Sequence, residues 1–176
     1  MDNESATNKL TSIIFTLIYN AVANNFRLYK TYLVLWECMM SLAIGDKAPD
    51  FTIATDGGGT FCLSEMMGNN VIIYFYPKDD TPGCTKEACE FRDSLPDFSK
   101  SSSKIIGISK DTVAKHDKFK SKYELPFTLG ADLEGAVCEA YGTWVEKSMY
   151  GRQYMGIERA TFLVDKEGVV QGIWRK

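Results

Sequence analysis

The run Val71-Ile72-Ile73-Tyr74-Phe75-Tyr76, together with the turn and helix start directly after it, constrains the fold more than any other stretch of the chain. β-Branched and aromatic residues in a short run without a polar break suit a strand buried on both faces, as in a sheet covered by helices. A breaker-rich turn comes next, Pro77-Lys78-Asp79-Asp80, and then a helix start: Thr81 suits the N-cap, Pro82 the first helical position, and Glu87 adds an early acid. Cys84 therefore falls in the first turn of that helix. There the unpaired backbone N–H groups and the positive end of the helix dipole favour thiolate over thiol, which makes Cys84 the best candidate nucleophile in the chain.

The rest of the pattern keeps alternating. Residues 104–109 read as a strand, 112–123 as a helix with an exposed lysine face, 127–130 as a short strand and 134–141 as a short helix. Residues 160–164 and 169–174 form a hairpin across Asp165-Lys166-Glu167-Gly168, and an earlier hairpin pairs 51–54 with 60–63 across Asp56-Gly57-Gly58-Gly59. The Cys84 helix should reach about Phe98, with Ala88, Phe91, Leu95 and Phe98 on one face, although Pro96 can end it early. This order predicts an α/β, thioredoxin-like three-layer sandwich with an N-terminal β-hairpin and a right-handed parallel crossover. It lacks the closing C-terminal helix usual in such folds, because the chain stops at Trp174-Arg175-Lys176.

Length and composition fit one soluble globular domain: 176 residues, 45% apolar, with a net charge of −3. There is no basic face, and the lysines between Lys115 and Lys122 read as the wet side of a helix, so nucleic acid is not an expected partner. Cys38, Cys62, Cys84, Cys89 and Cys138 are odd in number and widely scattered, which points to a reducing compartment, the cytoplasm, rather than to a secreted disulfide framework. With no C-x-x-C and with His116 as the single histidine, no zinc site is expected; His116, on the lysine-rich helix, is expected to be exposed. Cys62 and Cys138 are expected in the core. The glycine triplet says only "turn", and no cofactor fingerprint is present. Residues 1–43 read as a non-catalytic extension and 44–176 as the catalytic domain; the apolar runs of the extension are too short or too broken to span a bilayer, an anchor or targeting role being the alternative.

Pro77-x-x-x-Thr81-x-x-Cys84, the core Thr81-Pro82-Gly83-Cys84-Thr85 and Cys89 together resemble the active site of peroxiredoxins of the bacterioferritin comigratory protein (peroxiredoxin Q) group. The likeness runs from residue 44 to the end, with Gly45-Asp46-Lys47-Ala48-Pro49-Asp50-Phe51 similar to the G-x-x-A-P-x-F that precedes the family's first hairpin. It implies a monomeric thiol peroxidase that reduces hydrogen peroxide and organic hydroperoxides, uses no cofactor and is recycled by thioredoxin. On spacing alone Arg92, Arg152 and Arg159 are equal candidates for the active-site cation; the resemblance points to Arg159, in Glu158-Arg159-Ala160-Thr161-Phe162. It also implies that Pro77 shields the sulfur and that Thr81 hydrogen-bonds thiolate and peroxide. Attack on a peroxide makes Cys84 a sulfenic acid, and Cys89 is the thiol placed to resolve it. Five residues of α-helix rise about 7.5 Å, beyond the roughly 7 Å Cα separation that a disulfide tolerates, so this bond requires the first turns to unwind. Two other functions fit the same elements. A thiol–disulfide oxidoreductase would favour C-x-x-C over the C-x-x-x-x-C present here, and a redox-responsive binding or chaperone protein would expose apolar surface on oxidation.

Overall fold

The computed structural model describes residues 42–100, 103–149 and 151–176, with the side chains of 96–100 excepted. The expectations for residues 1–41 lie outside the described residues. In chain order the elements are β1 (Thr52–Ala54), β2 (Thr60–Cys62), β3 (Asn70–Phe75), α1 (Pro82–Lys100), β4 (Ser103–Ser109), α2 (Val113–Tyr123), β5 (Thr128–Ala131), α3 (Ala136–Ala140), β6 (Trp144–Met149), β7 (Arg152–Ile157), β8 (Ala160–Val164) and β9 (Val170–Arg175). Among the described residues no helix is long and apolar enough to cross a membrane.

β3 is the middle of a five-stranded sheet ordered β5-β4-β3-β8-β9. It pairs in parallel with β4 (Ile73 opposite Ile106) and antiparallel with β8 (Ile73 opposite Phe162), so α1 is the crossover that returns the chain to the same sheet. The strand's alternation feeds two cores. Val71, Ile73 and Phe75 point to one face, where Phe162, Ile106, Ile108, Phe61 of β2 and Tyr141 close over them; Ile72, Tyr74 and Tyr76 point to the other, against Ala88 of α1 and Phe119 of α2. Every residue from Val71 to Tyr76 is buried, so the unbroken apolar run is explained by a strand covered on both sides. Gly107 of β4 makes room for this packing, since a Cβ there would come within 2.4 Å of the Tyr74 ring.

α1 runs through Pro96 to Lys100, close to the expected end near Phe98: the proline forfeits a single late hydrogen bond in a helix whose Ala88 is already seated in the core. Three features depart from the sequence reading. β6 and β7 form an antiparallel hairpin, with Trp144 opposite Ile157 and Met149 opposite Arg152, in a stretch to which the sequence pattern assigns no element. Cys62 is half-buried rather than in the core, its sulfur 3.1 Å from Ser64 Oγ, whereas Cys138 is fully buried. His116 is not exposed; it has no accessible surface and lies on the inner face of α2 with Phe119, its ring bonded to the buried Asp79 carboxyl and the Gly130 carbonyl.

Candidate active site

The register of β3 against β8 assembles the site. Ala160 stands opposite Phe75, the last residue of β3, so Arg159 emerges beside the loop that carries the chain from β3 into α1. That loop, residues 76–81, delivers the first turn of α1, where Thr85 N–H donates to the Thr81 carbonyl at 2.8 Å. Cys84, the third residue of the helix, is 2% exposed.

Arg159 Nη2 donates to Cys84 Sγ at 3.3 Å, and Nη1 donates to the Glu87 carboxylate. One planar guanidinium thus spans the sulfur and an acid one turn further along the same helix, a geometry that a fork of fixed donors can meet and a point charge cannot. Gly83 lies beneath it, where a Cβ would sit 3.4 Å from Nη2, in van der Waals contact with the guanidinium. Burial works against the charge on Arg159, but the Cys84 sulfur and the Glu87 carboxylate outweigh it and hold the group above its ordinary range. For Glu87 the balance falls the other way: burial pushes its carboxyl up, and Arg159 offsets this only in part.

Of the other residues singled out in the sequence, Cys89 is half-buried on the same unbroken helix as Cys84. With a rise of about 7.5 Å and a rotation of about 140° between them, their Cα atoms are roughly 8.6 Å apart in regular α-helix, outside disulfide range. Thr81 occupies the cap position through its carbonyl, while its hydroxyl donates to the Lys78 carbonyl at 3.0 Å rather than to the sulfur. Pro77 is exposed at the end of β3. Arg92 bonds Asp93 and the Tyr123 carbonyl, and Arg152 begins β7, whereas Arg159 contacts the Cys84 sulfur. Among the described residues there is no cluster of three or more His, Cys, Asp or Glu side chains that could hold a metal ion.

The sequence reading missed Glu87 as the partner of the guanidinium, and it missed the acids that fasten the loop. Asp79 N–H donates to Asp111 Oδ2 at 2.8 Å, and Asp80, a non-glycine residue in the left-handed region (φ 56°), is held by Lys122 Nζ and the Tyr123 hydroxyl at 2.8 and 2.5 Å. The available signal was Phe119, three residues from His116 and four from Tyr123, which marks an inner face on a helix that otherwise reads as polar.

The chain matches the AhpC/TSA family over residues 44–173. It is 55% identical over 137 residues to a putative peroxiredoxin bcp of Coxiella burnetii, covering 78% of this chain and 91% of that protein. It is 51% identical over 137 residues to the peroxiredoxin Bcp of Bacillus subtilis, covering 78% of this chain and 87% of that one. The fold is similar to a solved structure of the Xanthomonas campestris bacterioferritin comigratory protein, which concerns that protein's alkyl peroxide reduction activity; the TM-score is 0.71 at 43% identity, over 77% of this chain and 86% of that one.

Proposed function

The chain belongs to the AhpC/TSA family, among the Bcp peroxiredoxins, and on that footing we propose that its peroxidase reaction runs through Cys84 as attacking thiol and Cys89 as resolving thiol. As the thiolate, Cys84 attacks one oxygen of hydrogen peroxide or an organic hydroperoxide. The O–O bond breaks, water or the alcohol leaves with a proton, and the sulfur, oxidised by two electrons, becomes a sulfenic acid. Arg159 donates to the sulfur and offers its remaining N–H groups to the peroxide oxygens, so its donors are in place where negative charge moves. The Cys89 thiolate then attacks the Cys84 sulfur, water departs, and a disulfide forms after the first turns of α1 unwind. A dithiol reductant of the thioredoxin type returns both thiols. The observation that carries this reading is the Arg159 guanidinium 3.3 Å from a buried sulfur in the first turn of a helix. Scattered cysteines support a reducing cytoplasmic setting, and a monomer suffices, because every group invoked comes from one chain.

The test is peroxide consumption coupled to thioredoxin and its reductase. Cys84→Ser should abolish turnover, and Cys89→Ser should abolish or greatly slow it. Turnover surviving Cys84→Ser would overturn the assignment of the nucleophile; turnover unaffected by Cys89→Ser would overturn that of the resolving thiol.

A further inference from the structure

We infer that His116 is a positioning residue for the peroxidatic thiol: through Asp79 it holds the loop between β3 and α1 in the one shape that starts the helix at the turn carrying Cys84. The inference rests on the roles of Cys84 and Cys89 proposed above.

His116 and Asp79 come from different elements and are both buried, with no exposure for the histidine and 8% for the aspartate. His116 Nδ1 meets Asp79 Oδ2 at 2.8 Å, and Nε2 meets the Gly130 carbonyl of β5 at 3.1 Å. Both ring nitrogens are thus engaged, one by the Asp79 carboxyl and one by a backbone carbonyl, so the ring is held at two points between the loop and β5. The rest of Asp79 is also committed: Oδ1 accepts the Tyr76 hydroxyl at 2.7 Å, and its N–H goes to Asp111, which Ser109 Oγ and Lys115 Nζ hold in turn. The next residue, Asp80, has the left-handed backbone that turns the chain toward α1. A non-glycine residue keeps such a conformation only where its surroundings over-determine it, and here they do so through bonds on both sides of the turn. Thr81, Pro82, Gly83 and Cys84 come directly after, so α2 and β5 set the direction in which α1 leaves the sheet.

The two chemical steps respond to this loop with opposite sign. A loosened loop populates the folded, Arg159-facing arrangement of Cys84 less, which slows attack on peroxide. It populates the unwound arrangement more, which speeds closure of the Cys84–Cys89 disulfide. A residue that merely packed would change stability without driving the two steps apart.

The side-chain amides of Asn and Gln separate these roles, since the nitrogen of Asn falls near Nδ1 of a histidine and that of Gln near Nε2. In the full chain, rapid mixing with hydrogen peroxide followed by acid quench and mass spectrometry gives both the rate of sulfenic acid formation at Cys84 and the rate of its conversion to disulfide. His116→Gln, which keeps the Gly130 bond and loses Asp79, should slow the first step about tenfold or more and speed the second, in line with the cost of displacing a reacting group by about an ångström. His116→Asn, which keeps the Asp79 bond, should stay close to the parent in both. Tyr76→Phe removes one donor from the same carboxylate and almost no volume, and it provides the comparison should His116→Gln fail to fold; it should move both rates in the same directions by less. A parent that reacts at Cys84 while the Asn and Gln variants behave alike, or while Tyr76→Phe leaves both rates unchanged, overturns the positioning role alone. A parent with no sulfenic acid at Cys84 overturns the proposed chemistry and this inference with it.

Discussion

Oxidation should melt the start of α1 and nothing else in the central sheet. In the reduced protein Cys84 and Cys89 lie on one unbroken helix, Pro82–Lys100. Their Cα atoms are about 8.6 Å apart by helix geometry, against an upper limit near 6.8 Å for a disulfide, so no side-chain rotation closes the gap. Unwinding through Cys89 releases the donors from Thr85 to Asp93, roughly nine amides by the i→i−4 pattern. It also draws Cys84 and Ala88, 2% and 0% exposed, out of the core they share with Tyr74 and Tyr76. Hydrogen–deuterium exchange read on a peptide spanning residues 82–95 should therefore show about nine further deuterons taken up within seconds after one equivalent of peroxide. Peptides from β3 and β8 should be unchanged, and Cys89→Ser should show no uptake above its reduced level. A gain of one or two deuterons in the disulfide form would refute the reasoning, as would equal gains with Cys89→Ser.

Other consequences are read by simpler assays. Arg159→Lys leaves one ammonium where a guanidinium serves both Cys84 and Glu87, so the second-order rate constant with peroxide should fall by about 10²- to 10³-fold; a value close to the parent's would remove Arg159 from the reaction. The Tyr74 hydroxyl is buried without a hydrogen-bond partner among the described residues, and burial holds its pKa well above the usual range. Tyr74→Phe should thus be neutral or more stable by about 1 kcal/mol in urea denaturation, and a loss of that size would show that the hydroxyl has a partner. Burial raises the Asp111 carboxyl, but the Asp79 N–H, Lys115 and Ser109 outweigh it and hold the group below its ordinary value. A carboxyl depressed on folding stabilises above its unfolded pKa and loses that contribution as pH falls through the folded one. Asp111→Asn should therefore cost about 1–3 kcal/mol at pH 7 by leaving its donors short of an acceptor, and the difference from the parent should shrink as pH falls below about 4; a difference that does not change with pH would contradict it.

Much of this was legible in the chain because it depends on local pattern. An unbroken β-branched and aromatic run can be satisfied only by a strand covered on both faces, and Thr81-Pro82 before Cys84 fixes where the next helix begins. What escaped depends on contacts between distant segments. Whether His116 points inward turns on Asp79, 37 residues earlier, and on the Gly130 carbonyl, neither of which its own helix reveals. Glu87 read as an ordinary early-helix acid, because its partner lies 72 residues away in sequence. The β6–β7 hairpin carries little apolar alternation, since most of it faces solvent, so no period of two announced it. Arg159 could not be separated from Arg92 and Arg152 by spacing; its place beside Cys84 comes from the β3–β8 register, which brings Ala160 opposite Phe75.

The central claim, that Cys84 is the sulfur that meets peroxide, has a direct measurement. Cys89→Ser, treated with one equivalent of hydrogen peroxide in the presence of dimedone, should carry a single adduct, and peptide mapping should place it on Cys84. An adduct on Cys62 or another thiol with Cys84 still reduced, or no adduct while peroxide is consumed, would contradict the account.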